Sequence, residues 1–197
     1  MIRVLLLSAA ALIALPAGAQ TVAVTGATVA LGDGSAPIRN GTVVFRDGRI
    51  VSAGANVAVP AGAEVVDGRG KWVSPGLIAG FTDLGLQDAG GIEESNDTAA
   101  RGSPFAAAID VSTAINPAGV KIGNERLAGI TRALVAPDAG GSIFAGQGAV
   151  IDLGDDADAV TRPRAFQYVE LGEHGAREAG GSRPAAYALF RDALAQA

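Results

Sequence analysis

Short runs of alternating apolar and polar residues fill the chain from residue 22 to residue 73. The runs 42–46 and 49–53 flank Asp47-Gly48. This dipeptide is a strong hairpin signal, because a type I′ turn needs positive φ at both central positions. Further short runs cover residues 22–31, 64–67 and 71–73. The pattern predicts a small all-β module over residues 20–74.

The pattern changes after Pro75. Residues 76–81 form an unbroken apolar run, which is typical of a strand buried on both faces. A helical turn or two is predicted at 124–129, and further strands at 131–136, 148–153 and 166–171. Strand–helix alternation predicts parallel βαβ units. The fold class is therefore α/β, either a small open sheet or an incomplete barrel, because a closed barrel needs eight strands.

The remaining segments predict loops and one helix. Residues 87–101 are polar and acidic, which favours a solvated loop, and residues 104–120 favour short helix and loop. Residues 139–142 predict a turn. Ser182 is typical of a helix N-cap, with Pro184 in the first turn of a helix that runs to the end of the chain.

The first residues carry the pattern of an export signal. Arg3 precedes an apolar run over residues 4–15, Pro16 ends the run, and Ala17-Gly18-Ala19 offers the small residues that signal peptidase reads. A membrane-spanning helix needs about 20 apolar residues, so a cleaved signal is favoured over an anchor. We expect residues 1–19 to be removed and the protein to be periplasmic or secreted, without stable membrane insertion.

The amino-acid composition excludes some kinds of site and disfavours others. The chain has no cysteine, which excludes disulfides and thiolate metal sites. The formal net charge is −5 and the arginines are scattered, which argues against nucleic acid as a partner. The single histidine, His174, lies in a predicted loop, where a solvated side chain is the favoured interpretation. A Ser-His-Asp triad built from Ser142 and His174 is therefore disfavoured.

Two further segments have weak functional patterns. The glycine-rich segment 140–148 lacks the Lys-Ser/Thr ending of a phosphate loop and is interpreted as turn geometry. Glu93, Glu94 and Asp97 lack the glycine and ligand spacing of a calcium loop, which favours a solvated acidic loop.

Residues 71–78, Lys-Trp-Val-Ser-Pro-Gly-Leu-Ile, resemble the amidohydrolase superfamily, near its imidazolonepropionase-like and periplasmic members. The Asp47-Gly48 hairpin and the strand before Gly68 match the same pattern. The resemblance is clear over residues 22–86 and continues more weakly through 130–135 and 146–151. It implies a β-sandwich module over residues 20–74 that leads into the first strands and helices of a TIM-like (β/α) barrel. Residues 75–197 would then be a partial barrel, truncated or completed by a longer parent chain.

The resemblance also implies a metal-dependent hydrolase that acts on non-peptide C–N bonds of a small molecule. In this family a His-x-His pair at the end of the first barrel strand binds a divalent ion such as zinc. The corresponding positions here are Phe81 and Asp83. Phenylalanine cannot bind a metal, so Asp83 is the candidate ligand. Neither Lys71, which lies before the barrel, nor Lys121, which precedes a predicted helix, matches the family's bridging lysine.

Because these ligands are missing, we expect this chain not to bind zinc tightly. Two hypotheses stay open. The chain is part of a hydrolase whose remaining ligands lie elsewhere in a longer parent, or it is a non-catalytic binding or interaction protein on an amidohydrolase scaffold.

Overall fold

The computed structural model describes residues 20–88, 90 and 92–197. The chain divides into two compact units, one ending at Pro75 and the other running from Gly76 to Ala197. The predicted signal peptide, residues 1–19, lies outside the described residues.

The described residues of the first unit form one five-stranded sheet. The strands are β1 (Thr21–Val29), β2 (Ile38–Arg46), β3 (Arg49–Gly54), β4 (Glu64–Asp67) and β5 (Trp72–Val73). Strand order is β3-β2-β1-β4, and β5 also pairs with β1. The first three strands are antiparallel, whereas β4 and β5 run parallel to β1.

The predicted Asp47-Gly48 hairpin is confirmed between β2 and β3. Asp47 has φ 51° and Gly48 has φ 70°, so both central residues take the left-handed conformation that the turn requires. Ala27, Val29 and Val43 form the buried centre of this unit. Its described strands belong to a single sheet. The β-sandwich over residues 20–74 stays a prediction.

The described residues of the second unit form a four-stranded sheet and three α-helices. In chain order these are β6 (Leu77–Thr82), α1 (Val120–Leu127), β7 (Ile130–Val135), β8 (Phe144–Asp152), β9 (Val160–Val169), α2 (Glu173–Glu178) and α3 (Arg183–Gln196). The strand order is β6-β7-β8-β9. Short 3₁₀ turns at Glu93–Ser95 and Val111–Thr113 lie between β6 and α1.

The predicted parallel alternation is right for one pair of strands and wrong for the others. β6 and β7 are parallel and are joined through α1, as in a βαβ unit. β7–β8 and β8–β9 are antiparallel. Their connections, residues 136–143 and 153–159, are too short for a parallel crossover, which needs a dozen or more residues.

The prediction that residues 76–81 form a strand buried on both faces is wrong. In β6, Leu77 and Ile78 are each 65% exposed and Phe81 is 67% exposed. β6 lies at the edge of the described sheet, and the core packs mainly under its neighbours. That core consists of buried aliphatic residues, namely Leu84, Leu86, Val111, Ile122, Ala133, Val135, Ala149, Ile151 and Leu153.

The C-terminal helix was predicted correctly. The Ser182 side chain accepts a hydrogen bond from the Ala185 backbone N–H at 3.3 Å, and Pro184 lies in the first turn of α3. The predicted helical turn at 124–129 is the second half of α1, which begins earlier, at Val120. Across the described part of the chain, no helix combines the length and apolar character needed to cross a membrane.

Candidate functional site

A cavity of about 490 Å³ lies at one edge of the sheet in the second unit. β6, β7 and β9 run in the same direction, so their carboxyl ends meet at this edge. The carboxyl edge is where open α/β sheets bind ligands. The cavity is lined by residues from the ends of these three strands, namely Phe81, Thr82, Asp83, Ala136, Pro137, Asp138 and Tyr168.

Phe81 has an unusual backbone conformation for a bulky residue. Its φ is 54°, in the left-handed region that glycine favours. The pairing of β6 with β7 is irregular at the same place, because Ala79 faces Ala133 but Thr82 faces Val135. Three steps along β6 therefore match two along β7, which is a β-bulge that redirects side chains. Strand periodicity consequently does not relate Phe81 to Asp83, although both line the cavity.

Three aromatic rings meet beside the cavity. The ring centroids of Phe81 and Tyr168 are 5.6 Å apart, and Phe166 meets Phe81 edge-on at 6.2 Å. Gly148 lies under the Phe166 ring, and a Cβ at this position would collide with it. Gly148, which has no side chain, therefore leaves room for the aromatic cluster against the sheet.

Asp83 forms an ion pair at the rim of the cavity. Its Oδ2 accepts a hydrogen bond from Lys121 Nζ at 3.0 Å, and Lys121 Nζ also donates to Gln87 Oε1 at 3.2 Å. Both charged side chains are partly exposed. Lys121 was predicted to precede a helix. It lies instead in the first turn of α1 and contacts Asp83, the residue that follows β6. Asp83 and Lys121 also line a second cavity of about 360 Å³.

Tyr168 supplies a hydroxyl group near the carboxylates of Glu170 and Asp138. Its Oη donates to Glu170 Oε1 at 2.6 Å. This hydrogen bond, followed by partial burial and the charges of Glu170 and Asp138, raises the pKa of Tyr168 to about 12. The phenol is therefore protonated at neutral pH and contributes polarity without charge.

The residues at this edge do not fit the divalent metal that the resemblance implies. Phe81 has no donor atom, and one oxygen of Asp83 accepts from an ammonium group. Within residues 20–88, 90 and 92–197, no three His, Asp or Glu side chains are grouped so that they could hold an ion. A structural zinc site needs four ligands and a catalytic site three protein ligands.

The other site residues considered from the sequence do not line this cavity. His174 lies in α2 and not in the predicted loop, and its Nε2 is 3.5 Å from Glu178 Oε1. Ser142 Oγ accepts from the Phe144 backbone N–H at 3.1 Å. The segment 140–148 is a turn only at its start, because β8 begins at Phe144. The acidic Glu93, Glu94 and Asp97 are exposed, and so is Lys71 in the first unit.

Asp138 and Tyr168 were not identified from the sequence. Asp138 follows a predicted buried strand as Asp83 does, and this shared position at a carboxyl end was a usable signal. Tyr168 reaches the same edge because β9 pairs antiparallel with β8, and the sequence carries no direct signal for that pairing.

No protein-family model matches the chain. Imidazolonepropionase of Ralstonia nicotianae is 47% identical over 55 residues, which are 26% of this chain and 14% of that protein. The enzyme of the same name from Mesorhizobium japonicum is 45% identical over 51 residues, or 24% of this chain and 12% of that protein.

The similarity in fold extends further than the similarity in sequence. A solved amidohydrolase from Thermotoga maritima matches 89% of this chain and 47% of that structure, with a TM-score of 0.76 and 22% sequence identity. At this identity the likeness describes the fold alone. The chain thus spans about half the length of that structure, and its sequence match covers a small fraction of the curated relatives.

Proposed function

From the premise that this chain corresponds to the N-terminal part of an amidohydrolase-superfamily protein, we propose that it belongs to an exported hydrolase of non-peptide C–N bonds in a small molecule. In this proposal the parallel unit β6-α1-β7 begins a (β/α) barrel within residues 75–197, and a longer parent chain supplies the rest. The second sheet of this chain then provides one wall of the substrate site.

The observation that carries the proposal is the cavity at the carboxyl ends of β6, β7 and β9. Barrel and open α/β enzymes bind substrate at this end of their strands. A volume of about 490 Å³ is also within the range of small-molecule sites, which are roughly 300–1,000 Å³. The lining combines aromatic surface from Phe81 and Tyr168 with polar groups from Asp83 and Asp138.

The residues of this chain are suited to binding and orienting a substrate. Asp83 and Asp138 offer acceptor oxygens, and Lys121 fixes the position of the Asp83 carboxylate. A divalent ion in the family would polarise the scissile carbonyl and activate water. Since the described residues do not fit such an ion, we assign its ligands to the longer parent and derive no step through it.

A non-catalytic binding protein is the alternative function, and two observations favour it. Phe81 occupies the position of the first family ligand and packs against Tyr168. Asp83 occupies the second and is paired with Lys121. Both family positions thus have a packing or ion-pair role that a metal would disturb, while the cavity beside them stays open to a ligand.

The two functions are separated by comparing this chain with the product of the complete genomic reading frame. Both would be dialysed against a mild chelator, analysed for zinc, and tested against a panel of linear and cyclic amides. For the hydrolase we expect the complete product to bind metal and hydrolyse at least one amide. We expect this chain alone to retain clearly less than one zinc and to show no turnover.

A variant with Phe81→His and Asp83→His would control for the missing ligands. It should raise zinc affinity only modestly, because a catalytic site needs at least three protein ligands. A complete product that shows no turnover with metal supplied would favour the binding protein. One tightly held zinc with turnover in the unmodified 197-residue chain would contradict our assignment of the ligands.

A further inference from the structure

We propose that the cavity at the carboxyl edge binds an organic cation, a ligand whose charged ammonium group lies against Phe81 and Tyr168. The inference rests on the proposed function in treating this cavity as the ligand site. It goes further by naming the chemical class of the ligand.

The aromatic pair is the first reason. The Phe81 and Tyr168 rings both line the cavity, and their centroids lie 5.6 Å apart, which is too close for a cation to fit between them. Phe81 is 67% exposed, which leaves much of its ring surface free. A cation over an aromatic face, within about 6 Å of its centroid, is attracted by the ring quadrupole. The bulge at Phe81, where φ is 54°, redirects this side chain relative to a regular strand.

The charges around the rings are the second reason. Asp83 and Asp138 line the cavity, and Glu170 accepts the Tyr168 hydroxyl. Lys121 offsets the charge of Asp83. Asp138 on the cavity lining and Glu170, hydrogen-bonded to Tyr168, add two further carboxylates near the rings. Tyr168 stays neutral up to high pH because its pKa is about 12. The electrostatic potential in the cavity therefore favours a positively charged ligand group over a neutral or anionic one.

The face of the sheet next to the rings suggests where the uncharged part of the ligand lies. A third cavity, of about 630 Å³, shares Phe81 and Tyr168 with the cavity at the carboxyl edge and continues over Leu134, Val150 and Phe166. This surface is mainly apolar, with Arg162 as its charged member. A ligand with a cationic head and a short apolar body would use both regions.

The test is calorimetric titration of the full chain with choline and with 3,3-dimethyl-1-butanol, the neutral isostere in which carbon replaces the ammonium nitrogen. The two probes have the same shape, so a difference in affinity measures the charge. We expect choline to bind about tenfold more tightly than the alcohol, and added salt to weaken the binding of choline alone.

Matched variants locate the binding. Phe81→Leu and Asp138→Asn should each weaken choline binding about three- to tenfold. Phe105→Leu and Asp158→Asn are the controls, because these residues are exposed and do not line the cavity. Both should leave the affinity unchanged. Circular dichroism of every variant checks that the fold is retained.

Equal affinity for the two probes, no choline binding up to tens of millimolar, or equal losses in the control variants would each overturn the inference. These results are distinct from failure of the proposed function. Choline binding with no hydrolysis by the complete product would retain the cation site and remove the hydrolase. Hydrolysis of neutral amides with no choline binding would do the reverse.

Discussion

At the scale of single residues, Phe81 combines an exposed ring with a strained backbone. A left-handed conformation costs an L residue about 1–2 kcal/mol, and glycine avoids this cost. Phe81→Gly and Phe81→Ala remove the same ring, so the difference between them reports on the backbone. We expect the glycine variant to be more stable than the alanine variant by about 1 kcal/mol in chemical denaturation.

The same pair of substitutions at Phe105 provides the control. Phe105 is as exposed as Phe81, at 67%, but is not among the residues with positive φ. There alanine should be the more stable variant by about 0.4–1 kcal/mol, because glycine gains more freedom in the unfolded chain. The same order at both positions would mean that the backbone at Phe81 is unstrained.

The ionisation of Tyr168 gives a second prediction at this scale. Its folded-state pKa of about 12 lies above the ordinary value of 10.0. A raised pKa means that the folded state favours the protonated phenol. The resulting stability is fully present below pH 10 and is lost as the pH rises from 10 through 12.

Absorbance titration of the chain, with Tyr168→Phe subtracted, measures this pKa directly. We expect the difference signal to titrate near 12 in the parent chain. In Glu170→Gln the midpoint should move down towards 10, because the hydrogen bond to the carboxylate is the largest cause of the shift. An unchanged midpoint in Glu170→Gln would contradict this assignment.

At the scale of elements, α3 depends on its N-cap. The Ser182 side chain satisfies the Ala185 backbone N–H, which would otherwise lack an intrahelical partner. Ser182→Ala should therefore lower the free energy of unfolding by about 1 kcal/mol, and Ser182→Gly by only a few tenths. Thermal denaturation of both variants checks the order, and equal losses would show that the cap contributes nothing specific.

The elements predicted correctly are those with local chemical signals. Asp47-Gly48 predicted the first hairpin because few residues take positive φ at adjacent positions. Ser182 with Pro184 predicted the start of α3 for a similarly local reason. Strand direction and burial depend on neighbours distant in sequence. The apolar run 76–81 therefore did not reveal that β6 lies at an edge of the sheet. The runs that became β8 and β9 likewise did not reveal that these strands are antiparallel.

The sequence predicted only part of the candidate site, because most of the site is built from contacts between residues distant in sequence. Counting along the chain placed Asp83 correctly at the end of a strand. The bulge at Phe81 broke the two-residue period on which that counting relied. Lys121 did not match the family's bridging lysine because it precedes the predicted helix instead of ending a strand. Its contact with Asp83, made from the first turn of α1, was therefore not predicted. Tyr168 depends on the register of β9, which was not available from local pattern.

At the scale of the whole molecule, both units expose large apolar side chains. In the first unit these include Ile50, Val51, Val65 and Trp72, and in the second Leu77, Ile78 and Phe81. Where such side chains form a contiguous patch, the patch usually marks an interaction site or a tendency to aggregate. An edge strand such as β6 adds unpaired backbone groups to this surface.

We therefore expect the isolated 197-residue chain to be marginally stable and to associate with itself as concentration rises. Ile78→Lys places a charge on the exposed edge strand, where lysine discourages pairing between edges. It should reduce self-association measured by sedimentation velocity, whereas Ser35→Lys, at an exposed position outside the strands, should have little effect. A sharp cooperative thermal transition in a monomeric preparation of the unmodified chain would contradict the prediction. Such a result would mean that the exposed apolar faces of both sheets are compatible with an independently stable fold.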